Sequence, residues 1–193
     1  MYHIYHTEGI ILASTPTGES DRFFQILTPD LGLIPAVARG SRALTSKLRY
    51  HLVDHAHVGL DLVRGKGAWT ITGALPRMTT EQVPMTIEMR VAMVRLSSFI
   101  RRLVHGEERS HELFSLVTSF QKISMEYVSP DDREYLFLGG CIHVLSILGY
   151  GSEDALINSI AKTPLSMDII EMVASSQKDI RHEINRALGE TQL

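Results

Sequence analysis

The chain has 193 residues, of which 44% are hydrophobic and 21% charged, with a formal net charge of −3. That composition fits a globular chain of one large or two small domains and excludes a disordered or fibrous one. A single cysteine, Cys141, excludes an internal disulfide and any multi-cysteine metal site.

Charge is uneven along the chain. Residues 1–80 hold eight Lys/Arg and six Asp/Glu, a net of +2; residues 81–193 hold eleven and sixteen, a net of −5. A local positive field can hold phosphate even when the whole chain is acidic, whereas the second half would repel DNA. No apolar run reaches the ~20 residues of a membrane span. The start, Met1-Tyr2-His3-Ile4-Tyr5-His6, lacks the basic-then-apolar pattern of a signal peptide. A cytoplasmic protein without membrane partners is expected.

The predicted elements begin with short strands. Gly9 to Ser14 is mostly apolar, and in the next run Phe24 and Ile26 alternate with Gln25 and Leu27. The third run, from Gly32 to Ala38, contains Pro35, which has no N–H to donate, so this strand should be an edge or be locally irregular. It opens into a loop carrying Arg39, Arg42, Lys47 and Arg49 with no acid among them. Val58, Leu60 and Leu62 fall on one face at period two. Arg64-Gly65-Lys66-Gly67 is a turn, and Trp69-Thr70-Ile71-Thr72 resumes the alternation, which reads as a hairpin. Five strands within about 75 residues suit an OB-type barrel or another small closed sheet.

The hydrophobic period changes near residue 80. After Pro84, the residues Ile87, Val91, Val94, Phe99, Ile100 and Leu103 follow a helical spacing that Gly106 ends. Leu113, Leu116, Val117, Phe120, Ile123 and Tyr127 give a second stripe. Ser129-Pro130 supplies an N-cap serine and a first-turn proline for a third helix. From Tyr135 to Leu148 that helix is apolar nearly all round, so it should be central in its domain. Its Gly139-Gly140 pair costs about 1 kcal/mol per glycine against alanine, which close helix packing explains. Two shorter helices are expected around Ser166–Ser175 and Asp179–Leu188. The fold class is therefore α+β: an N-terminal five-stranded OB-fold barrel over 1–80, then an all-α helical domain over 81–193.

Enzyme motifs are missing. Gly-Lys at 65–66 lacks the following Ser/Thr and leads into a hairpin rather than a helix, against a phosphate-cradling Walker loop. His51, His55 and His57 could form a metal cluster, with His55 and His57 on one strand face and His51 in a loop, yet partly exposed polar positions explain them as well. Cys141 reads as a small buried residue, and Asp131-Asp132 as acids favoured at a helix amino terminus. There is no Gly-x-Ser-x-Gly, no His-Glu-x-x-His and no acidic metal cluster of the kind a nuclease needs. No catalytic residue, cofactor or metal is expected.

The candidate DNA contacts are Arg39, Arg42, Lys47 and Arg49, with Arg64 and Lys66 at a neighbouring hairpin tip. A solvated surface would account for the loop cations alone. Aromatics add to a binding reading, because bases stack on rings for ~1–3 kcal/mol each. Phe23, Phe24, Tyr50 and Trp69 lie on or beside the sheet. Phe23 and Phe24 point to opposite faces, so at most one is a platform, and Trp69 reads equally as core or surface. Arg22 stays open between a phosphate contact and an ion pair with Glu19 or Asp21.

Seven short words occur in order: Glu8-Gly9-Ile10-Ile11-Leu12, Gly18-Glu19-Ser20-Asp21-Arg22, Leu27-Thr28, Gly32-Leu33, Ala38-Arg39-Gly40, Ser46-Lys47-Leu48 and Arg64-Gly65-Lys66-Gly67. Over roughly the first 75 residues they resemble the bacterial RecO recombination-mediator family. A weaker echo is Leu145-Ser146-Ile147-Leu148-Gly149-Tyr150-Gly151, which looks like the end of that family's central helix. The resemblance implies an OB-fold barrel plus a helical domain with a non-enzymatic role at the nucleoid. That role is binding single- and double-stranded DNA, annealing complementary strands and helping load recombinase on DNA coated by single-strand-binding protein. RecR and single-strand-binding protein are the implied partners. Many members carry four zinc-binding cysteines just after the Leu-Gly-Tyr word. This chain continues Ser152-Glu153-Asp154-Ala155 and cannot hold that zinc. The alternative role is a protein-interaction adaptor of the repair machinery with little DNA affinity, in which the helical domain carries the function.

Overall fold

The computed structural model describes residues 3–77, 86–125 and 129–190. The chain forms two compact units. One is Met1–Val83 with Val104–Phe114; the other is Pro84–Leu103 with Ser115–Leu193. The expected change of period near residue 80, Pro84 and Tyr127 lie outside the described residues.

In the first unit, strands β1 (Ile4–Thr17), β2 (Asp21–Thr28), β3 (Gly32–Ala38), β4 (His57–Arg64) and β5 (Trp69–Pro76) close into a barrel in the order β1-β2-β3-β5-β4. This is the expected five-stranded OB-type barrel. β1 is long enough to serve two neighbours: Ile4 to Ile10 pair with β4, and Ile10 to Thr17 pair with β2. A register shift between Ile11 and Ala13 gives it the bend it needs to pass from one to the other. Pro35 stands opposite Gln25 on the β2 side. On its other side β3 meets β5 only at Ala36–Trp69 and Val37–Thr70, so the missing N–H falls before that short ladder starts.

Period-two alternation sends Phe24, Ile26, Ile34, Ala36, Leu60, Leu62 and Ile71 into one apolar core, joined by Ile11 and Leu52. Each large side chain buried there stabilises the fold by roughly 1.5–3 kcal/mol. Leu52 follows a one-turn helix, α1 (Leu48–His51), in the connection between β3 and β4.

Val104–Phe114 belongs to the barrel unit, although it lies within the stretch the sequence assigns to the helical domain. Arg109 donates from Nε to the Asp30 carbonyl at 3.3 Å, and His111 Nε2 lies 3.6 Å from Asp30 Oδ1. Gly32 faces this strap with φ of +68°, and a Cβ there would stand 2.1 Å from the Glu108 carbonyl oxygen. Only glycine meets both conditions. An irregular connector has no hydrophobic period, so the pattern could not place it.

The second unit is helical. It comprises α2 (Ile87–Leu103), the part of α3 (His111–Ser124) after Phe114, α4 (Pro130–Ile147), α5 (Ala155–Lys162), α6 (Asp168–Ser175) and α7 (Gln177–Glu190). Ser129 caps α4, its Oγ accepting from the Asp132 N–H at 3.1 Å. α4 is central, packed by α2, α5, α6 and α7. A Cβ on Gly139 would stand 2.8 Å from Ile169 Cγ2, and one on Gly140 would stand 3.3 Å from the Phe120 ring. The glycine pair therefore lets neighbouring side chains close onto the α4 backbone. α5 is not among the helices expected from the sequence, although Asp154 caps it by accepting from the Leu156 and Ile157 N–H groups. No helix among the described residues is long and apolar enough to cross a membrane.

Candidate nucleic-acid interface

Strand register and loop hydrogen bonds sort five of the seven candidate cations into two groups, while Lys47 and Arg49 stand at the start of α1. Arg22 stands opposite Ala38 at the start of β2, and Arg39 follows Ala38 directly. The β1–β2 turn is tied to the loop after β3: Gly40 N–H donates to Asp21 Oδ1 at 2.8 Å, and Arg42 N–H to the Ser20 carbonyl at 2.9 Å. These segments make one rim. β5 runs parallel to β3 with Trp69 beside Ala36, so the β4–β5 hairpin tip preceding Trp69 points toward the Gly32 end of β3. Arg64 and Lys66 therefore stand at the opposite rim and do not neighbour the Arg39 loop, which corrects the sequence reading of their placement. The two rims frame the outer face of β2 and β3. In barrels of this type, that face and the β1–β2 and β4–β5 loops are where oligonucleotides bind.

On that face Phe23 is paired with Val37 and Gln25 with Pro35, all four half-buried. Phe24 points into the core and is fully buried. Phe23 is therefore the ring this face presents. Trp69 is only 4% exposed. Its indole N–H donates to Glu107 at 3.2 Å, the Arg64 guanidinium sits 4.8 Å from its ring centroid, and Tyr5 meets it edge-on at 5.0 Å. It is a core residue at the rim rather than an open platform. Tyr50 is 69% exposed, with the Arg49 guanidinium 5.3 Å from its ring.

The cations differ in what they hold. Arg39, Lys47 and Lys66 are exposed and have no ion-pair partner among the described residues. Arg42 donates to the carbonyls of Gly18 and Glu19 at 3.3 and 3.1 Å, so it clamps the β1–β2 turn. Arg22 is half-buried; it donates to the Leu52 carbonyl at 3.1 Å and to Ser14 Oγ, and lies 3.9 Å from Asp54 Oδ1. Its carboxylate partner is Asp54, not Glu19 or Asp21, and it acts as a brace. Arg64 is paired with Glu107. Glu107 is the residue the sequence could not supply, since it comes from the strap far along the chain.

The three histidines take separate places. His51 ends α1, while His55 is buried in the turn before β4 with φ of +67°. His57 Nε2 lies 2.9 Å from Glu8 Oε2. Among the described residues no three His, Cys, Asp or Glu side chains are grouped so that they could hold a metal ion. Cys141 is buried, and desolvation pushes its thiol far above the ordinary range.

A family model described as Recombination protein O N terminal matches residues 1–76. The chain is similar to a DNA repair protein RecO of Dehalococcoides mccartyi strain BAV1, with 46% identity over 72 residues, 37% of this chain and 28% of that protein. A protein of the same name from strain 195 is 28% identical over 151 residues, 78% of this chain and 58% of the relative. One from Roseiflexus sp. strain RS-1 is 34% identical over 114 residues, 59% of this chain and 40% of the relative. The matched regions thus span 28% to 58% of these relatives' length. Over its amino-terminal 76 residues, the chain is similar to the amino-terminal domain of recombination protein O.

Proposed function

We propose that this chain is a non-enzymatic recombination mediator in DNA repair. In this reading the barrel binds single- and double-stranded DNA, promotes annealing of complementary strands and helps load recombinase on DNA coated by single-strand-binding protein. RecR and single-strand-binding protein are its partners at the nucleoid. The names of the relatives support a repair role. The observation that carries DNA binding is the half-buried Phe23 face, bounded at one rim by Arg39 and at the other by Lys66, with Lys47 exposed farther along the β3–β4 connection. Exposed cations neutralise phosphates without regard to sequence. Phe23 stacks an unpaired base, so the phosphate contacts serve both strand forms and the ring serves the single strand.

Fluorescence anisotropy with a labelled oligonucleotide at several salt concentrations tests this. Log affinity should fall with log salt by ~0.7 per phosphate contact on a single strand. Phe23→Ala should weaken single-strand binding by ~1–3 kcal/mol and leave the slope unchanged. The second reading is the protein-interaction adaptor, favoured by the net −5 of residues 81–193. It takes over if the folded wild-type chain binds no DNA at low salt.

A further inference from the structure

We propose that Glu107 is a built-in competitor for DNA: its carboxylate occupies Arg64 at the β4–β5 rim, and an incoming phosphate displaces it. This rests on the DNA-binding reading above and adds regulation to the same site. Glu107 stands on the strap Val104–Phe114, within the barrel unit. The strap is pinned near it by the Arg109–Asp30 hydrogen bond and by the close approach of Glu108 to Gly32. From there the Glu107 carboxylate accepts from the Arg64 guanidinium through one oxygen and from the Trp69 indole N–H through the other, at 3.2 Å. A carboxylate and a phosphodiester offer an arginine the same charge and the same paired acceptors.

Arg64 is 54% exposed along its side chain, so a phosphate can reach it while the pair is intact. An ion pair this open to water is weak. A strand already held at Phe23 and Lys66 needs only to exchange one acceptor for another. Until it does, the Arg64 cation is masked, and single-strand affinity is lower than the barrel's own cations would give. Trp69 is the only tryptophan in the chain, so its emission reports the state of the Glu107 contact.

The test compares the full-length wild type with Glu107→Gln, Arg64→Gln and the double variant, using labelled oligo-dT over a salt series with melts to confirm folding. Glu107→Gln keeps a neutral acceptor for the strap but removes the competing charge. It should bind up to about fivefold tighter at 0.1 M salt, the cost of breaking an exposed ion pair, with the slope nearly unchanged because a phosphate reaches Arg64 in both proteins. The gain should vanish in the Arg64→Gln background. Trp69 emission of the wild type should shift on saturation with strand.

Three results overturn the proposal. Glu107→Gln could match the wild type in affinity, which makes Glu107 a tie for the strap only. It could tighten binding equally without Arg64, which makes the effect general charge removal. Or Trp69 emission could stay constant throughout the titration. If Glu107→Gln does not fold, Glu107→Asp keeps the charge, shortens its reach and should tighten binding by a smaller factor; no gain there also overturns the competitor. Wild type that binds no strand at low salt sinks the DNA reading itself, which the other outcomes leave standing.

Discussion

The barrel and the helical unit solve the same burial problem with opposite surfaces. In the barrel, alternation buries Phe24 and Ile26 and turns Phe23 and Gln25 outward, leaving an aromatic ring on a face edged by cations. In the helical unit the most apolar helix, α4, is hidden by neighbours that close on Gly139 and Gly140. The buried His143 there is satisfied on both sides: its two ring nitrogens lie 2.8 and 2.7 Å from the carbonyls of Gly139 and Thr163. Residues 81–193 also carry the negative balance. On the reading proposed above, the outward ring and cations of the barrel serve binding, whereas α4 serves packing.

The largest expected effect asks whether the two cores are independent. Phe24 and Phe120 are both fully buried, one in each unit. Replacing either by alanine should cost ~3–5 kcal/mol. A calorimetric scan should resolve two transitions, with Phe24→Ala lowering only one and Phe120→Ala only the other. If both variants lower a single shared transition by similar amounts, the units are one cooperative block and the comparison fails.

Much of the fold class was legible in the sequence because it rests on short-range periods. Val58, Leu60 and Leu62 gave a strand face, and Ser129-Pro130 gave the start of α4. What escaped depends on distant contacts. Nothing near Arg22 indicates Asp54, and nothing in the barrel sequence indicates Glu107. The placement of Arg64 and Lys66 opposite the Arg39 loop follows from the parallel β3–β5 pairing at only two positions, which no local pattern encodes. The exposure of Phe23 and burial of Phe24 followed once the strand's inward face was known, which is why the sequence could say only that one ring faces out.

A second experiment sharpens the electrical contrast. Arg39 and Lys47 are preferred to Arg42, whose loss would also free the β1–β2 turn. Neutralising Arg39 and Lys47 to glutamine should lower the salt slope for a single strand by ~1.4, and affinity at 0.1 M salt by about 25-fold. The matched control is Lys162→Gln with Lys178→Gln, two exposed lysines of the helical unit, which should leave both quantities unchanged. Equal losses from the two pairs would mean that net charge, rather than the barrel rim, sets the affinity.

The smallest effect belongs to the helical unit and to stability alone. Glu134 sits between Arg95, which reaches it with both terminal nitrogens, and Arg181, at 2.7 Å. Arg95 is itself held with its guanidinium 3.9 Å from the Phe137 ring centroid. The Arg95 hydrogen bonds, aided by its charge and by Arg181, hold the Glu134 carboxyl below its ordinary value of 4.5 against the opposing pull of desolvation. A carboxyl whose folded value is depressed contributes stability above the unfolded value, and loses it as pH falls through the folded one. The contribution is therefore complete near neutrality and declines below pH 4.5. The side chain keeps 26% of its exposure, and screening limits the gain to about 1 kcal/mol. Melts of the wild type and Glu134→Gln between neutrality and strong acid isolate this carboxyl from the others. The variant should be less stable at neutral pH, and the gap should close in acid, in the helical transition only. A gap that stays constant with pH would assign the loss to packing around Arg95, and a gap in the barrel transition would mean that the two units share this ion pair's stabilisation.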